Sequence, residues 1–184
     1  GAVEDLGGSF RLADLDMMPG TAYFNSGVML INLPAWREFG VSVRVFRFLR
    51  DNRHRLYFHD QDGLNAILQG KWLPLHPKWN AQRNMFEKFT VSPDKETLFR
   101  EGAQNPSIVH FTGSSKPWHY DNAHPHKKEY YRYLALTEWK GFKPQAGFER
   151  RLKRWARLLL PASMQAILRK WFPIYMQRSR IGGR

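Results

Sequence analysis

Apolar and polar positions along the first 140 residues change period in short blocks. Tyr23-Phe-Asn-Ser-Gly-Val-Met-Leu-Ile-Asn-Leu33 is mostly apolar and entered through small residues, the pattern of a buried strand. Pro34 suits the first turn of a helix expected to reach about Asp51, with Trp36, Val41, Val45, Phe48 and Leu49 buried and Gly40 as its weak point. Residues 60–69 read as a second helix, with Leu64, Ile67 and Leu68 at helical spacing, and 71–75 as a short strand. Residues 77–89 are aromatic and irregular. Ser92 and Pro93 open a helix to about Arg100, residues 107–111 form a strand, and His124-Pro-His leads into a helix ending near Trp139. Strands alternating with helices define an α/β class.

A different pattern follows residues 141–147 (Gly-Phe-Lys-Pro-Gln-Ala-Gly), which read as a linker. Leu152, Trp155, Ala156 and Leu159 keep helical spacing, and a second helix from Pro161 carries Met164, Ile167, Leu168 and Trp171. Charge sharpens this division of 1–140, 141–147 and 148–184. Ten Lys and Arg against Glu149 give residues 148–184 a net +9, leaving +4 of the chain's +13 for the rest. Tryptophan and cations around an apolar stripe form the composition of a helix lying in an anionic membrane interface. Docking on the domain's own core is the alternative. Nucleic-acid binding is disfavoured, because no groove-reading or base-stacking module accompanies the charge.

Composition narrows the class further. The 184 residues, 42% hydrophobic and 15% aromatic, suffice for one core. Absence of cysteine excludes disulfides and thiolate metal sites and fits a cytoplasmic setting. No apolar run is long enough to span a bilayer, and the start does not read as a signal peptide.

Candidate chemistry lies at Ile108-Val-His-Phe-Thr-Gly-Ser-Ser-Lys-Pro-Trp-His119. An apolar strand delivers one imidazole, then small-residue amides, then one ammonium, the set that a metal-bridged diphosphate needs. An ordinary strand end and turn is the competing account. His59-Asp-Gln-Asp62 opens a helix, where capping explains one aspartate and leaves the other without a reason. Asp5, at the end of the first strand, is either a site carboxylate or a capping or turn aspartate. His119, His124 and His126 read as surface-loop residues, and Trp118 adjoins the small-residue turn.

Tyr23 to Leu33, Asp60-Gln-Asp-Gly-Leu-Asn65, Leu75-His-Pro-Lys-Trp-Asn80 and His110 to His119 occur in an order that resembles glycosyltransferase family 8. The resemblance implies a GT-A-like fold and retaining transfer of a hexose from a nucleotide sugar, UDP-linked, to a saccharide or lipid-linked acceptor such as lipopolysaccharide core. It implies His110 as ligand of Mn²⁺ or Mg²⁺, with Asn25, Gly113 and Lys116 on the donor and its phosphates. Asp60 would bond the donor hexose, Gln61 would lie beside the anomeric carbon, and Asp5 would serve the acceptor side. All but Asp5 are expected to converge on one open cleft. The family's Asp-x-Asp metal motif is missing from its place: Asp14-Leu-Asp16 has the spelling but no strand before it. The expectation is therefore a C-terminal portion, inactive alone, whose tail attaches it to the inner face of the cell membrane. Rival readings are a metal-dependent hydrolase built on Asp14, Asp16 and the later histidines, or a non-catalytic basic module for membrane or nucleic acid.

Overall fold

A computed structural model describes residues 1–87 and 92–144, together with single positions 146, 151, 155, 159 and 164. The chain divides into two units, Gly1–Ser114 with His124–His126, and Ser115–Ala123 with Lys127–Arg184.

In the first unit, β1 (Ala2–Glu4) pairs antiparallel with β2 (Phe24–Met29), with a bulge after Ala2. Between them lies the short α1 (Arg11–Asp14). The expected helix after Pro34 is two helices, α2 (Leu33–Glu38) and α3 (Val41–Asp51). Gly40 separates them at φ +57°, a left-handed conformation that a β-carbon disfavours. Asn32 caps α2 by accepting the amide of Ala35 at 3.2 Å. Val41 and Val45 bury one face of α3, which packs on α4 (Asp60–Leu68). That packing needs Gly63, since a β-carbon there would lie 2.8 Å from Leu49 Cδ2.

The strand expected over 71–75 is only a bridge: Ala2 pairs with Pro74, giving its amide to Leu73 O and accepting that of Leu75. A 3₁₀ turn, Pro77–Asn80, leads into β3 (Ala81–Gln82), which pairs parallel with β4 (Val109–His110). The second sheet is thus shorter than the strand expected over 107–111. Between its strands α5 (Pro93–Gln104) extends past the expected end at Arg100. Val3, Ala81, Met85 and Phe99 form one core cluster, and Leu15, Met17 and Tyr23 another. A groove of about 460 Å³, lined by Glu4, Trp72, Leu75, Lys95, Leu98 and Phe99 among others, contains none of the candidate site residues.

His124 corrects the surface-loop reading. It is buried among the rings of Phe86, Phe111 and His126. Burial, reinforced by His126 and Arg83, pushes its pKa down to about 4. A neutral buried imidazole resists a proton that the unfolded chain accepts at about 6.5. Stability is therefore complete above the unfolded value and falls as pH drops from about 6.5 towards 4. Urea unfolding at pH 7 and pH 5 should show a loss of roughly 1–2 kcal/mol, absent in His124→Phe.

In the second unit, Lys127 opens α6 (Lys127–Leu134), shorter than the helix expected to Trp139. Its ammonium donates to the carbonyls of His119, Tyr120 and Asn122 at 2.7–3.2 Å. Trp118 stacks obliquely on Tyr130. Among the described residues no helix is long and apolar enough to cross a membrane. Most of the tail read as two amphipathic helices lies outside the described residues. Of its described positions Trp155, Leu159 and Met164 are exposed.

Candidate active site

The buried side of α4 is polar, although the helix was recognised by the spacing of Leu64, Ile67 and Leu68. Gln61, Asp62 and Asn65 are buried, while the three apolar residues are half-exposed. Asn65 acts as a piece of strand: its Oδ1 accepts the amide of Phe24 at 2.7 Å and its Nδ2 donates to Phe24 O at 2.8 Å. This docks α4 on β2 by hydrogen bonds and fixes the register in which Gln61 meets Ser26.

Gln61 Oε1 accepts the Ser26 amide at 3.0 Å, so its Nε2 faces the other way and donates to Asp5 Oδ2 at 3.0 Å. Asn25 Nδ2 donates to the same oxygen at 3.1 Å, and the Gly7 amide donates to Asp5 Oδ1 at 3.0 Å. Asp5 lies just past β1, Asn25 lies on β2, and Gln61 is the second residue of α4. Asp60 stands beside them, exposed, its Oδ2 accepting from Ser26 Oγ at 3.2 Å. His59, immediately before, has φ +49°, an unusual conformation for a residue with a β-carbon and a mark of strain at this helix start.

The imidazole joins from the other side. Asn25 Oδ1 accepts the Gly27 amide at 3.1 Å and Asn80 Nδ2 at 2.9 Å. Asn80, fully buried, then presents Oδ1 to His110 Nδ1 at 2.9 Å. Gly27 leaves room for the ring, since a β-carbon there would fall 2.0 Å from His110 Cε1. Asp5, Asn25, Asp60, Gln61 and His110 are therefore brought together through Ser26 and Asn80. Sequence reasoning gave neither linker a role, although Asn80 ends one of the four quoted blocks.

Gly113 follows His110 by three residues at φ +79°, with open space where a β-carbon would point, so conformation and not crowding calls for glycine. Lys116 belongs to the second unit, where its amide donates to His119 Nδ1 at 3.2 Å. Asp14 and Asp16 are held by arginines: Arg11 bonds Asp14, and Arg55 Nη1 lies 2.7 Å from Asp16. Among the described residues no three His, Asp or Glu side chains gather as a metal cluster.

Asp62 is the aspartate that capping left unexplained, and its role is structural. Fully buried, it accepts from Tyr23 Oη at 2.7 Å, from the amides of Tyr57 and Phe58 at 2.6 and 2.9 Å, and from Arg11 at 3.3 Å. Burial alone would raise its pKa, yet these four donors hold it below the ordinary carboxylate value. Burial and the neighbouring Asp62 push the Tyr23 phenol well above its usual value.

The fold is that of the GT-A-like glycosyltransferases. The chain superposes on an active-site mutant of LgtC with TM-score 0.62 at 22% identity, covering 82% of this chain and 54% of that one. It also superposes on the galactosyltransferase LgtC in complex with donor and acceptor sugar analogs, with TM-score 0.58 at 25% identity, covering 83% and 55%. Residues 1–122 match the family described as Glycosyl transferase family 8, and the chain belongs to that family. General stress protein A of Bacillus subtilis is 40% identical over 144 residues, 75% of this chain and 50% of that protein. The lipopolysaccharide 1,3-galactosyltransferase of Salmonella typhimurium is 30% identical over 125 residues, 65% of this chain and 34% of that one. The chain thus spans half or less of these relatives' length.

Proposed function

We propose that this chain forms the sugar-binding side of a retaining hexosyltransferase that uses a nucleotide sugar, UDP-linked, and a saccharide or lipid-linked saccharide acceptor. Lipopolysaccharide core is the acceptor class we favour, because relatives such as that of Salmonella typhimurium are named as lipopolysaccharide glycosyltransferases. The observation that carries the reading is the Gln61–Asp5–Asn25–Asn80–His110 network, which joins residues from widely separated blocks at one site.

The residues fit a divalent cation in part. Asn80 Oδ1 can only accept, so it takes the Nδ1 proton of His110 and puts the neutral ring's lone pair on Nε2, the form a metal requires. His110 would hold Mn²⁺ or Mg²⁺ together with carboxylates from outside the described residues. Such an ion, when bound, supplies positive charge to the diphosphate leaving group.

The other steps belong to this chain's side chains. Asp60, exposed at the helix start, accepts hydroxyls of the donor hexose. Gln61 is a weak nucleophile because an amide oxygen is barely basic, and its oxygen already accepts the Ser26 amide. That favours attack by the acceptor hydroxyl on the face the diphosphate leaves, with the Gln61 dipole stabilising positive charge at the anomeric carbon. Asp5 orients both amides and faces the acceptor side. Gly113 gives the turn after His110 its shape beside the phosphates, and Lys116 adds an ammonium to balance their charge. Calorimetry with UDP-hexose and Mn²⁺ tests the reading. This chain alone binds weakly and transfers nothing, whereas a longer chain carrying an upstream Asp-x-Asp binds and turns over. Failure of that longer chain to bind any nucleotide sugar overturns the proposal.

We also infer that residues 1–140 are the catalytic portion and 141–147 a linker, with 148–184 holding the protein to the inner face of the cell membrane and no part in binding nucleic acid. The tail's +9 charge and the exposure of Trp155 and Leu159 support this. Each Lys or Arg near an anionic surface contributes about 1 kcal/mol. Flotation on vesicles containing phosphatidylserine should recover the protein at low salt, lose it at high salt, and fail after deletion of 148–184. Equal recovery on neutral vesicles would count against it.

A further inference from the structure

The polarity of the hydrogen-bond chain through the site is fully determined, although amide ends are ordinarily ambiguous. It starts from a donor that cannot be reversed, the backbone N–H of Gly27, which requires Asn25 to present its oxygen. The Asn25 NH₂ group then faces Asp5, an acceptor, as it must. Asn80 meets the Asn25 oxygen and so must present its NH₂ group there, which turns its own oxygen to His110 Nδ1. Flipping either amide would set two acceptors, or two donors, about 3 Å apart. Gln61 is oriented in the same way, by the Ser26 amide, and ends on the same Asp5 oxygen.

We propose that Asn80 is a positioning residue: it holds His110 as the Nδ1–H tautomer and ties that ring through Asn25 to the carboxylate that orients Gln61. The catalytic consequence rests on the hexosyltransferase reading above, whereas the tautomer assignment rests on geometry alone. Full burial of Asn80 keeps water from supplying a competing donor or acceptor, so the assignment is rigid. The imidazole on the leaving-group side and the amide on the sugar side are thereby set by three consecutive strand residues: Gly27 through Asn25 for the ring, and Ser26 for Gln61.

The test reads the tautomer directly. Imidazole ¹⁵N spectra of this chain, recorded near pH 8, should show His110 with its proton on Nδ1. Asn80→Ala should lower the Nδ1–H population of the ring, because the buried acceptor that holds that proton is gone. Asn80→Asp keeps an oxygen towards Nδ1–H but sets a second one against Asn25 Oδ1. It should therefore retain the tautomer while shifting the Asn25 side-chain amide signals. In a longer, active chain Asn80→Ala should raise the half-saturating Mn²⁺ concentration by about 10–100-fold, the usual effect of removing the partner of a metal-bound histidine. A wild-type ring protonated on Nε2, or an Nδ1–H population unchanged in Asn80→Ala, overturns the proposal. If Asn80→Ala does not fold, the wild-type and Asn80→Asp spectra still decide it. Absence of transfer in the longer wild-type chain would instead overturn the functional reading and leave a positive tautomer result standing.

Discussion

Asp62→Ala is expected to remove about 3–5 kcal/mol of stability, a large share of what a domain of this size has. The substitution leaves the guanidinium of Arg11, itself only 3% exposed, without the one fully buried carboxylate beside it. It also strips the amides of Tyr57 and Phe58 and the Tyr23 hydroxyl of their shared acceptor. Replacing both charges by leucine removes a buried cation that would keep only Asp14 and the Arg55 carbonyl, but still leaves those amides unsatisfied, so the Arg11→Leu, Asp62→Leu pair should recover only part of the loss. Because the folded pKa of Asp62 is depressed, its contribution is present above about pH 4 and is lost as pH falls through the folded value. Urea midpoints of the single and double variants check this. A loss under about 1 kcal/mol for Asp62→Ala would mean that water replaces the carboxylate.

The same residue shows where sequence reasoning ran out. Asp62 was visible as a surplus aspartate, but its partner Arg11 lies 51 positions away in a short helix that has no strong periodicity of its own. Local signals served well where one residue decides the outcome: Pro34 and Pro93 lie in first turns, and Gly40 divides α2 from α3. They placed α4 correctly through Leu64, Ile67 and Leu68 at helical spacing, but gave no sign of which face is buried. Gln61, Asp62 and Asn65 occupy that face, each with hydrogen-bond partners on other elements. The strand expected over 71–75 failed: its amide and carbonyl do meet Ala2, but over one bridge only. Most of the candidate site was legible through the family's four blocks. Ser26 and Asn80 were not, since their importance lies in which atom faces which neighbour, and spacing carries no such information.

Gly27→Ala should disable the site while leaving the fold nearly intact. Gly27 lies on β2 without a left-handed backbone, and it is exposed, so alanine brings no conformational strain and little change in burial. Its β-carbon, however, would stand 2.0 Å from His110 Cε1 and 2.7 Å from Nδ1, inside the roughly 3.5–4.0 Å at which such atoms rest. Either the ring retreats and breaks its 2.9 Å bond to Asn80, or β2 retreats and disturbs the Gly27 amide that orients Asn25. Both routes displace a group by about an ångström, which in a preorganised site can cost on the order of 100-fold in rate. Gly113→Ala offers the contrast: open space surrounds its missing β-carbon, so its cost is backbone strain at φ +79° and not collision with the imidazole. The expected result for Gly27→Ala is a thermal midpoint within a few degrees of wild type, with displaced His110 ring signals. In a longer, active chain kcat/KM should fall roughly 100-fold. Unchanged His110 signals would show that the strand accommodates a methyl group and that glycine at this position serves something other than the ring.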